Sequence, residues 1–199
     1  MLSQLRPAAV LLALFTLLTG LVYPLFVTLV AQTALPTQAN GGMIERGRKI
    51  VGSALIGQNF ASPRYFHGRP SATSAPDPAD GSKSVDAPYN AANSSGSNLG
   101  PTSKKLVDRV NAAIEAEIDA GRTDGFAADA VTTSASGLDP HISPQNAFAQ
   151  VAGVAKARGL DEAKVRALVE AHVESRLAGV IGEPRVNTLL LNLDLDALE

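Results

Sequence analysis

Two glycine-spaced segments are the first places in the sequence where phosphate chemistry has to be considered. Residues 52–59 read Gly-Ser-Ala-Leu-Ile-Gly-Gln-Asn, and residues 42–49 read Gly-Met-Ile-Glu-Arg-Gly-Arg-Lys. Both have the glycine spacing of a phosphate-binding loop, but Gln58 and Asn59 stand where the lysine and the hydroxyl residue belong, and the other segment has Arg-Lys there. Without the phosphate-contacting lysine and the magnesium-binding hydroxyl, both segments are predicted to be structural turns.

Histidine chemistry is the next possibility, and the three histidines His67, His141 and His172 show no metal-ligand spacing. A Ser-His-Asp hydrolase stays open because such triads assemble in space, although the chain has no Gly-x-Ser-x-Gly elbow. His67 belongs to the Tyr-Phe-His-Gly-Arg-Pro segment of residues 65–70, beside Ser71. An ordinary turn hydrogen bond is the simpler interpretation of His67. The sequence therefore assigns no catalytic residue and no metal site.

Composition removes further classes of protein. The chain has no cysteine, which excludes disulfides, thiolate zinc sites, a cysteine nucleophile and a lipid anchor on cysteine. Its formal net charge is −2 and no basic patch is evident, so nucleic-acid binding has no support.

The longest apolar run covers residues 8–30 and contains no charged residue. A helix of this length measures roughly 34 Å, which is enough to cross a hydrocarbon core of about 30 Å. A cleaved signal peptide is the alternative, but its apolar region is usually only about 7–15 residues long. We therefore predict one uncleaved transmembrane helix, kinked where Pro24 cannot donate a hydrogen bond to Gly20.

Gly20 and Pro24 also bear on partners of this helix. Glycine lets another helix approach closely, although glycine and proline are common in membrane helices in general. Both residues are candidate partner contacts.

Positive charge near the helix predicts its orientation. Arg6 lies directly before the helix, so residues 1–7 are expected in the cytoplasm and residues 31–199 outside it. Beyond the helix, the first cations come much later, at Arg46, Arg48 and Lys49.

Residues 31–199 are predicted to form one soluble α+β domain. Short apolar stretches between glycines predict a strand at residues 49–56. Leu alternation favours another strand at residues 186–198, with a helix as the alternative. Periodic apolar residues and caps predict helices at 103–120, at 143–159 and from Asp161 onward.

A long polar loop is predicted at residues 71–101. Its large apolar residues are only Val85, Tyr89 and Leu99, among many Ser, Asn, Asp, Pro and Gly. Such a stretch cannot bury enough apolar surface to fold by itself, and loops of this length are usually functional or disordered.

Ten short segments, in order along the chain, then point to a known family. They are LRP (5–7), TGLVYP (19–24), QANG (38–41), GSALIGQNF (52–60), YFHGRPSA (65–72), SGSNL (95–99), TSASGLD (133–139), ISP (142–144), VAKAR (154–158) and IGEP (181–184). This series resembles KdpC, the C subunit of the bacterial Kdp potassium-transporting P-type ATPase, over nearly the whole chain.

The resemblance implies an accessory subunit of an inner-membrane potassium import complex, with KdpA, KdpB and KdpF as partners beside membrane lipid. The chain lacks the Asp-Lys-Thr-Gly phosphorylation motif, so it is not expected to hydrolyse ATP. Its one predicted membrane helix cannot form a pore alone. The complex would handle ATP and potassium, and this chain alone is expected to bind no cofactor.

The family is also described as a catalytic chaperone that raises the ATP affinity of the ATPase subunit. That role makes Ser95, Gly96, Ser97, Asn98, Gln58 and Asn59 candidate nucleotide contacts. An extracytoplasmic domain has no access to cytoplasmic ATP, so the predicted topology favours a position over the potassium entrance instead.

Residues 65–72 and the polar loop are the predicted partner-docking region of the domain. Aromatic and cationic groups are enriched at protein interfaces, and the candidates are Tyr65, Phe66, His67 and Arg69. The alternative is that these residues are core and turn elements. A membrane-anchored hydrolase or an extracytoplasmic sensor are the other functions left open.

Overall fold

The computed structural model describes residues 2–122 and 125–198 and has an α+β architecture. It divides into two compact units, Met1–Ser53 and Ala54–Glu199. The helices are α1 (Leu5–Leu17), α2 (Tyr23–Ala34), α3 (Pro36–Ala39), α4 (Lys104–Asp119), α5 (Ala128–Val131), α6 (Pro144–Arg158), α7 (Glu162–Ala171) and α8 (Thr188–Leu195). The strands are β1 (Met43–Arg46), β2 (Lys49–Ser53), β3 (Ser74–Pro76), β4 (Ser84–Asp86), β5 (His141–Ile142), β6 (Val173–Glu174) and β7 (Arg185–Asn187).

The first unit begins with a continuous helix, Leu5–Ala34, in which α1 and α2 are joined by a π-helical turn, Leu18–Val22. Within the described residues, this is the one helix long and apolar enough to cross a membrane. A π turn lies where the kink between Gly20 and Pro24 was predicted, and the bend itself stays a prediction.

An antiparallel hairpin of β1 and β2 completes the first unit. Gly47 and Arg48 both have positive φ, 58° and 66°, as a two-residue hairpin turn requires. The strand predicted at residues 49–56 is observed as the shorter β2.

A helical core lies at the centre of the second unit, formed by α6, α7, α8 and the residues packed on them. Its buried apolar residues are Phe66, Ile142, Ala147, Val151, Val154, Ala155, Val165, Val169, Val186, Leu191 and Leu195. A three-stranded antiparallel sheet of order β5-β7-β6 borders this core, with His141 opposite Asn187 and Val173 opposite Val186.

Local capping fixes the ends of α6 and α7. Ser143 accepts a hydrogen bond from the Asn146 N–H, and Gly159 ends α6 at φ 68°. Asp161 caps α7 by accepting from the Ala163 N–H. A serine or aspartate cap stabilises a helix by about 1 kcal/mol, so both predicted boundaries follow from short-range chemistry.

The strand predicted at residues 186–198 is wrong for most of its length. Only the last two residues of β7 belong to it, and α8 follows directly, capped by the Asn187 side chain on the Leu189 and Leu190 N–H groups. Leucines at alternate positions suggested a strand, but α8 is buried on most of its circumference. A helix buried on most sides has no polar face from which its period could be recognised.

The long polar loop predicted at residues 71–101 contains regular structure. We call these residues the polar segment. β3 and β4 form an antiparallel hairpin inside it, with Ala75 opposite Val85. Its order comes from polar contacts: Thr73 Oγ1 donates to the Ala87 carbonyl at 2.6 Å and accepts from the Asn90 N–H at 3.1 Å.

Further hydrogen bonds attach the polar segment to residues 134–139. Ser71 Oγ donates to the Gly137 carbonyl at 2.8 Å and accepts from the Tyr89 N–H at 3.1 Å. The Ser95 N–H donates to the Ser136 carbonyl at 3.0 Å. The segment is therefore ordered by hydrogen bonds of hydroxyl and backbone groups. The sequence prediction considered only the number of large apolar residues and did not include these bonds.

Candidate functional site

The two glycine-spaced segments do not form phosphate loops. Residues 42–49 lie in the β1–β2 hairpin, and Gly57 of the other segment donates its N–H to the Leu138 carbonyl at 2.9 Å. A phosphate loop leads directly into a helix, whereas the next helix after Asn59 in the described chain is α4. Gln58 and Asn59 remain candidate nucleotide contacts by prediction alone.

In the second group of candidate nucleotide contacts, Gly96 lies close to the backbone of Ala135. A Cβ at Gly96 would come within 2.6 Å of the Ala135 carbonyl oxygen, so only glycine fits there. The close approach of two chains thus accounts for this glycine without a ligand. Nucleotide binding by Ser95, Gly96, Ser97 and Asn98 stays a prediction.

Phe66 is a core residue and not part of an exposed surface. Its side chain is fully buried, and the amide of Asn192 clamps its main chain by accepting from the N–H at 2.8 Å and donating to the C=O at 2.9 Å. Gln150 clamps His67 in the same way, at 2.8 and 3.2 Å, and also donates to Asn146. The prediction of Phe66 as a partner contact is therefore corrected to a packing role.

The neighbours of Phe66 are more accessible. His67 is exposed, and its Nε2 lies 3.1 Å from the Ser62 carbonyl oxygen, which is the turn hydrogen bond considered from the sequence. Tyr65 is half-buried beneath the Arg158 guanidinium, which lies 4.7 Å from the ring centre. These contacts fix the orientation of both side chains.

Arg69 forms the centre of a charged cluster. Its guanidinium contacts Asp139 at 3.2 Å and the Thr133 carbonyl at 3.3 Å. Tyr89 donates its hydroxyl to the Arg69 carbonyl at 2.7 Å, and the His141 N–H donates to Asp139 at 3.0 Å. The cluster joins the polar segment to the strand β5.

Burial and neighbouring charges shift the pKa values of two groups in this cluster, Asp139 and Tyr89. Burial raises the pKa of the Asp139 carboxyl, but hydrogen bonds from His141 and Arg69 and the positive charge of Arg69 outweigh it and leave the pKa below its ordinary value. Burial, together with the negative charge of Asp139, raises the pKa of Tyr89 to about 12. Tyr89 therefore keeps its proton and remains a hydrogen-bond donor at neutral pH.

The cluster opens into a groove of about 600 Å³, which we call the charged groove. It is lined by Arg69, Ala128, Asp129, Thr132, Asp139, His141, Ile142, Ser143, Gln145, Glu183, Pro184 and Arg185. Within the groove, the Asp129 carboxylate accepts three hydrogen bonds. They come from the Ser143 N–H at 2.6 Å, from the Ser143 hydroxyl at 2.8 Å and from the Asn146 side chain at 3.3 Å. These carboxylates are engaged in internal hydrogen bonds, and no group of three or more His, Asp or Glu suited to a metal occurs among the described residues.

A tight turn next to this groove exposes three large apolar side chains. Leu177, Val180 and Ile181 are 71%, 76% and 63% exposed, more than any other large apolar residue described in the second unit. Leu177 and Ile181 exchange backbone hydrogen bonds of 2.9 and 3.0 Å, and Ala178 and Gly179 have positive φ. We call residues 177–181 the apolar tip.

Ion pairs flank the apolar tip on both sides. Arg176 contacts Glu183 at 2.5 Å, and Arg185 contacts Glu174 at 2.9 Å. Because Glu183 and Arg185 also line the charged groove, the tip and the groove form one continuous surface.

Sequence reasoning missed this surface. The available signal was an apolar run between Arg176 and Glu183 that is interrupted by Gly179 and Gly182, which is a hairpin-turn pattern. It also missed Asn192 and Gln150, because buried amides leave no periodic signal.

Comparison with known proteins gives one consistent result. The family model KdpC, described as the c chain of a K⁺-transporting ATPase, matches residues 5–197. A "Potassium-transporting ATPase KdpC subunit" of Rhodopseudomonas palustris (strain BisB18) is 58% identical over 99% of both chains. Proteins with the same description from Bradyrhizobium diazoefficiens and Methylobacterium nodulans are 56% and 57% identical, over 98% and 100% of this chain and 98% of each relative.

Proposed function

The chain belongs to the KdpC family of K⁺-transporting ATPase subunits, and we propose that it acts there as a membrane-anchored accessory subunit that does not hydrolyse ATP. Its helix would hold it in the bacterial inner membrane, and its second unit would dock on the partner subunits outside the cytoplasm. The pore-forming KdpA, the ATPase KdpB and the small KdpF are the proposed partners.

The helix Leu5–Ala34 supports the anchoring role. It contains 30 residues, and its large apolar side chains are exposed. Such a helix measures about 45 Å, which exceeds the hydrocarbon thickness of about 30 Å. Arg6 at its beginning supports a cytoplasmic N-terminus.

The apolar tip is the observation that carries the docking proposal. Exposed apolar residues rimmed by charged ones are typical of protein interfaces, since monomeric proteins rarely leave such groups uncovered. The neighbouring charged groove would add polar contacts through Arg185, and Arg69 would take part as the one predicted interface residue in that groove. A domain docked in this way would cover or gate the potassium entrance of its partner.

Two properties support the proposal that this chain does not hydrolyse ATP itself. The chain has no Asp-Lys-Thr-Gly phosphorylation motif, and its glycine-spaced segments have no phosphate-loop geometry. A contribution to the ATP affinity of the complex would then act through contact with the ATPase subunit.

Replacement of the apolar tip tests the docking proposal. We expect the triple variant Leu177→Ser, Val180→Ser, Ile181→Ser to co-purify with its partners at least tenfold less than the wild type, because three apolar contacts are lost. Its melting temperature should stay the same, since these side chains are exposed.

A matched control is Val107→Ser together with Ile118→Ser, two exposed apolar residues on α4. Normal assembly of the tip variant would refute the docking surface. Protease access to the second unit in intact cells, compared with inverted vesicles, tests the orientation separately.

A further inference from the structure

The π turn leaves two carbonyl groups of the helix without their usual donors. The Tyr23 N–H donates to the Leu18 carbonyl, five residues back, instead of to Thr19. In an α-helix the Gly20 carbonyl would accept a hydrogen bond from the N–H of residue 24, but Pro24 has no N–H. The consecutive carbonyls of Thr19 and Gly20 therefore both lose their α-helical hydrogen bonds.

The Thr19 carbonyl finds no replacement donor in its own helix, because the residue that a π-helical hydrogen bond would use is Pro24. The hydroxyl of Thr19 already donates to the Phe15 carbonyl at 2.7 Å. Gly20 has no side chain, and apart from the backbone of its own helix no atom lies within 4 Å of the place where its Cβ would be. The Thr19 carbonyl is thus approachable from outside the helix.

The depth of this carbonyl in the membrane makes a donor necessary. The helix has 30 residues, so the bond between Thr19 and Gly20 is its midpoint, with about 22 Å of helix on either side. At the centre of a bilayer no water reaches the backbone, and lipid tails offer no hydrogen-bond donor. Unpaired carbonyls in this environment are strongly unfavourable.

We propose that the Thr19 carbonyl accepts a hydrogen bond from an N–H or O–H side chain on a membrane helix of a partner subunit. This inference rests on the proposed membrane anchoring and assembly. The absent side chain of Gly20 gives the donor room to reach the backbone, and Pro24 keeps the acceptor free of internal competition. This carbonyl is a polar recognition point near the midpoint of the helix.

Restoring the missing N–H tests the proposal without adding bulk. Pro24→Ala restores the N–H of residue 24 and lets the π turn relax to an α-helix, in which the Tyr23 N–H returns to the Thr19 carbonyl. Pro7→Ala is the matched control, because Pro7 lies in the first turn, where a helix needs no such donor. Each variant is co-expressed with the tagged wild-type chain and the partner subunits, and mass spectrometry gives the ratio incorporated into the purified complex relative to the membrane fraction.

We expect Pro24→Ala to be depleted about three- to tenfold relative to the wild type, the range that corresponds to one hydrogen bond within a membrane. Pro7→Ala should be incorporated equally. Equal incorporation of Pro24→Ala would overturn the proposal. Failure of the wild-type chain itself to join any complex would instead refute the proposed function.

A second experiment separates hydrogen bonding from a change of helix direction. Cells carrying Pro24→Ala are selected for growth at limiting potassium. The proposal expects suppressors that replace a donor side chain on a partner membrane helix by an apolar one, because that donor has lost its acceptor. Suppressors that only change side-chain volume would overturn it, as would partner-free pairing of two tagged copies of this chain that Pro24→Ala abolishes.

Discussion

The helical core and the polar segment of the second unit are ordered by opposite means. The helical core buries eleven apolar residues, and its order follows from the removal of apolar surface from water. The polar segment contains three large apolar residues and is held by hydrogen bonds from Ser71, Thr73 and their neighbours. Apolar burial is non-directional, whereas hydrogen bonds need fixed distances and angles. The core is therefore expected to be sensitive to volume and the polar segment to geometry.

Removal of Phe66 should give the largest effect in this comparison. Phe66→Ala leaves a cavity in the helical core and should reduce the free energy of unfolding by about 3–5 kcal/mol. Thermal unfolding of the full-length chain in detergent, followed by circular dichroism, measures the change. Leu177→Ala is the control, because an exposed side chain should contribute less than about 0.5 kcal/mol. An unchanged melting temperature together with impaired assembly would instead show that Phe66 contacts a partner subunit.

A methyl group at Gly137 should disrupt the polar segment nearly as strongly. The residue has φ 68°, and its Cβ would lie 2.4 Å from Thr73 Cγ2 and 2.8 Å from the Ser95 carbonyl oxygen. Backbone strain and overpacking together should cost Gly137→Ala about 2–4 kcal/mol. Hydrogen exchange should then rise across residues 71–101 while the helical core stays protected.

The matched control for this variant is Gly153→Ala, in the interior of α6. Apart from the backbone of its own helix, no atom lies within 4 Å of its Cβ position, and alanine favours a helix over glycine. Equal exchange in the polar segment for both alanine variants would contradict the geometric explanation.

Thr73→Val tests hydrogen bonding at constant volume. The side chain is 2% exposed, and valine would leave the Asn90 N–H and the Ala87 carbonyl without the partner that they share. We expect a loss of about 1–3 kcal/mol in urea unfolding. Thr102→Val, at an exposed position just beyond the segment, should change stability by less than about 0.5 kcal/mol. A neutral Thr73→Val would mean that shape alone orders the segment.

The smallest effect is expected from Asp139, whose side chain is 29% exposed. Its folded-state pKa lies below the ordinary value of 3.8, so its stabilisation is fully present above about pH 4 and is lost as the pH falls through the folded-state pKa. Asp139→Asn should therefore unfold at lower urea concentration than the wild type at pH 7 and at a similar concentration in strong acid. The same difference at both pH values would exclude a role of the carboxylate charge.

Short-range features of the fold were predictable, and those that depend on distant partners were not. Ser143 and Gly159 set the ends of α6 within a few residues, so the sequence predicted that helix correctly. The nature of α8 depends on its burial by other elements, which a local pattern does not reveal.

The same distinction applies to the site. Arg69 was predicted as a partner contact, and it lies in the charged groove, although the contact itself remains a proposal. Phe66 was misassigned, because whether an aromatic side chain is exposed depends on residues far along the chain. The apolar tip had a turn pattern of its own, and it was missed because its glycines were not considered together with the apolar residues between them.

The clamp of Asn192 on Phe66 has a consequence for biosynthesis. It joins residues 126 positions apart, so most of the second unit must be synthesised before Phe66 meets its partner. Until then the Phe66 ring and the apolar faces of α6 and α7 stay uncovered, which is a state prone to aggregation. For this chain, folding is completed only when α8 arrives, and quality control during synthesis would act on a domain that still lacks this last helix.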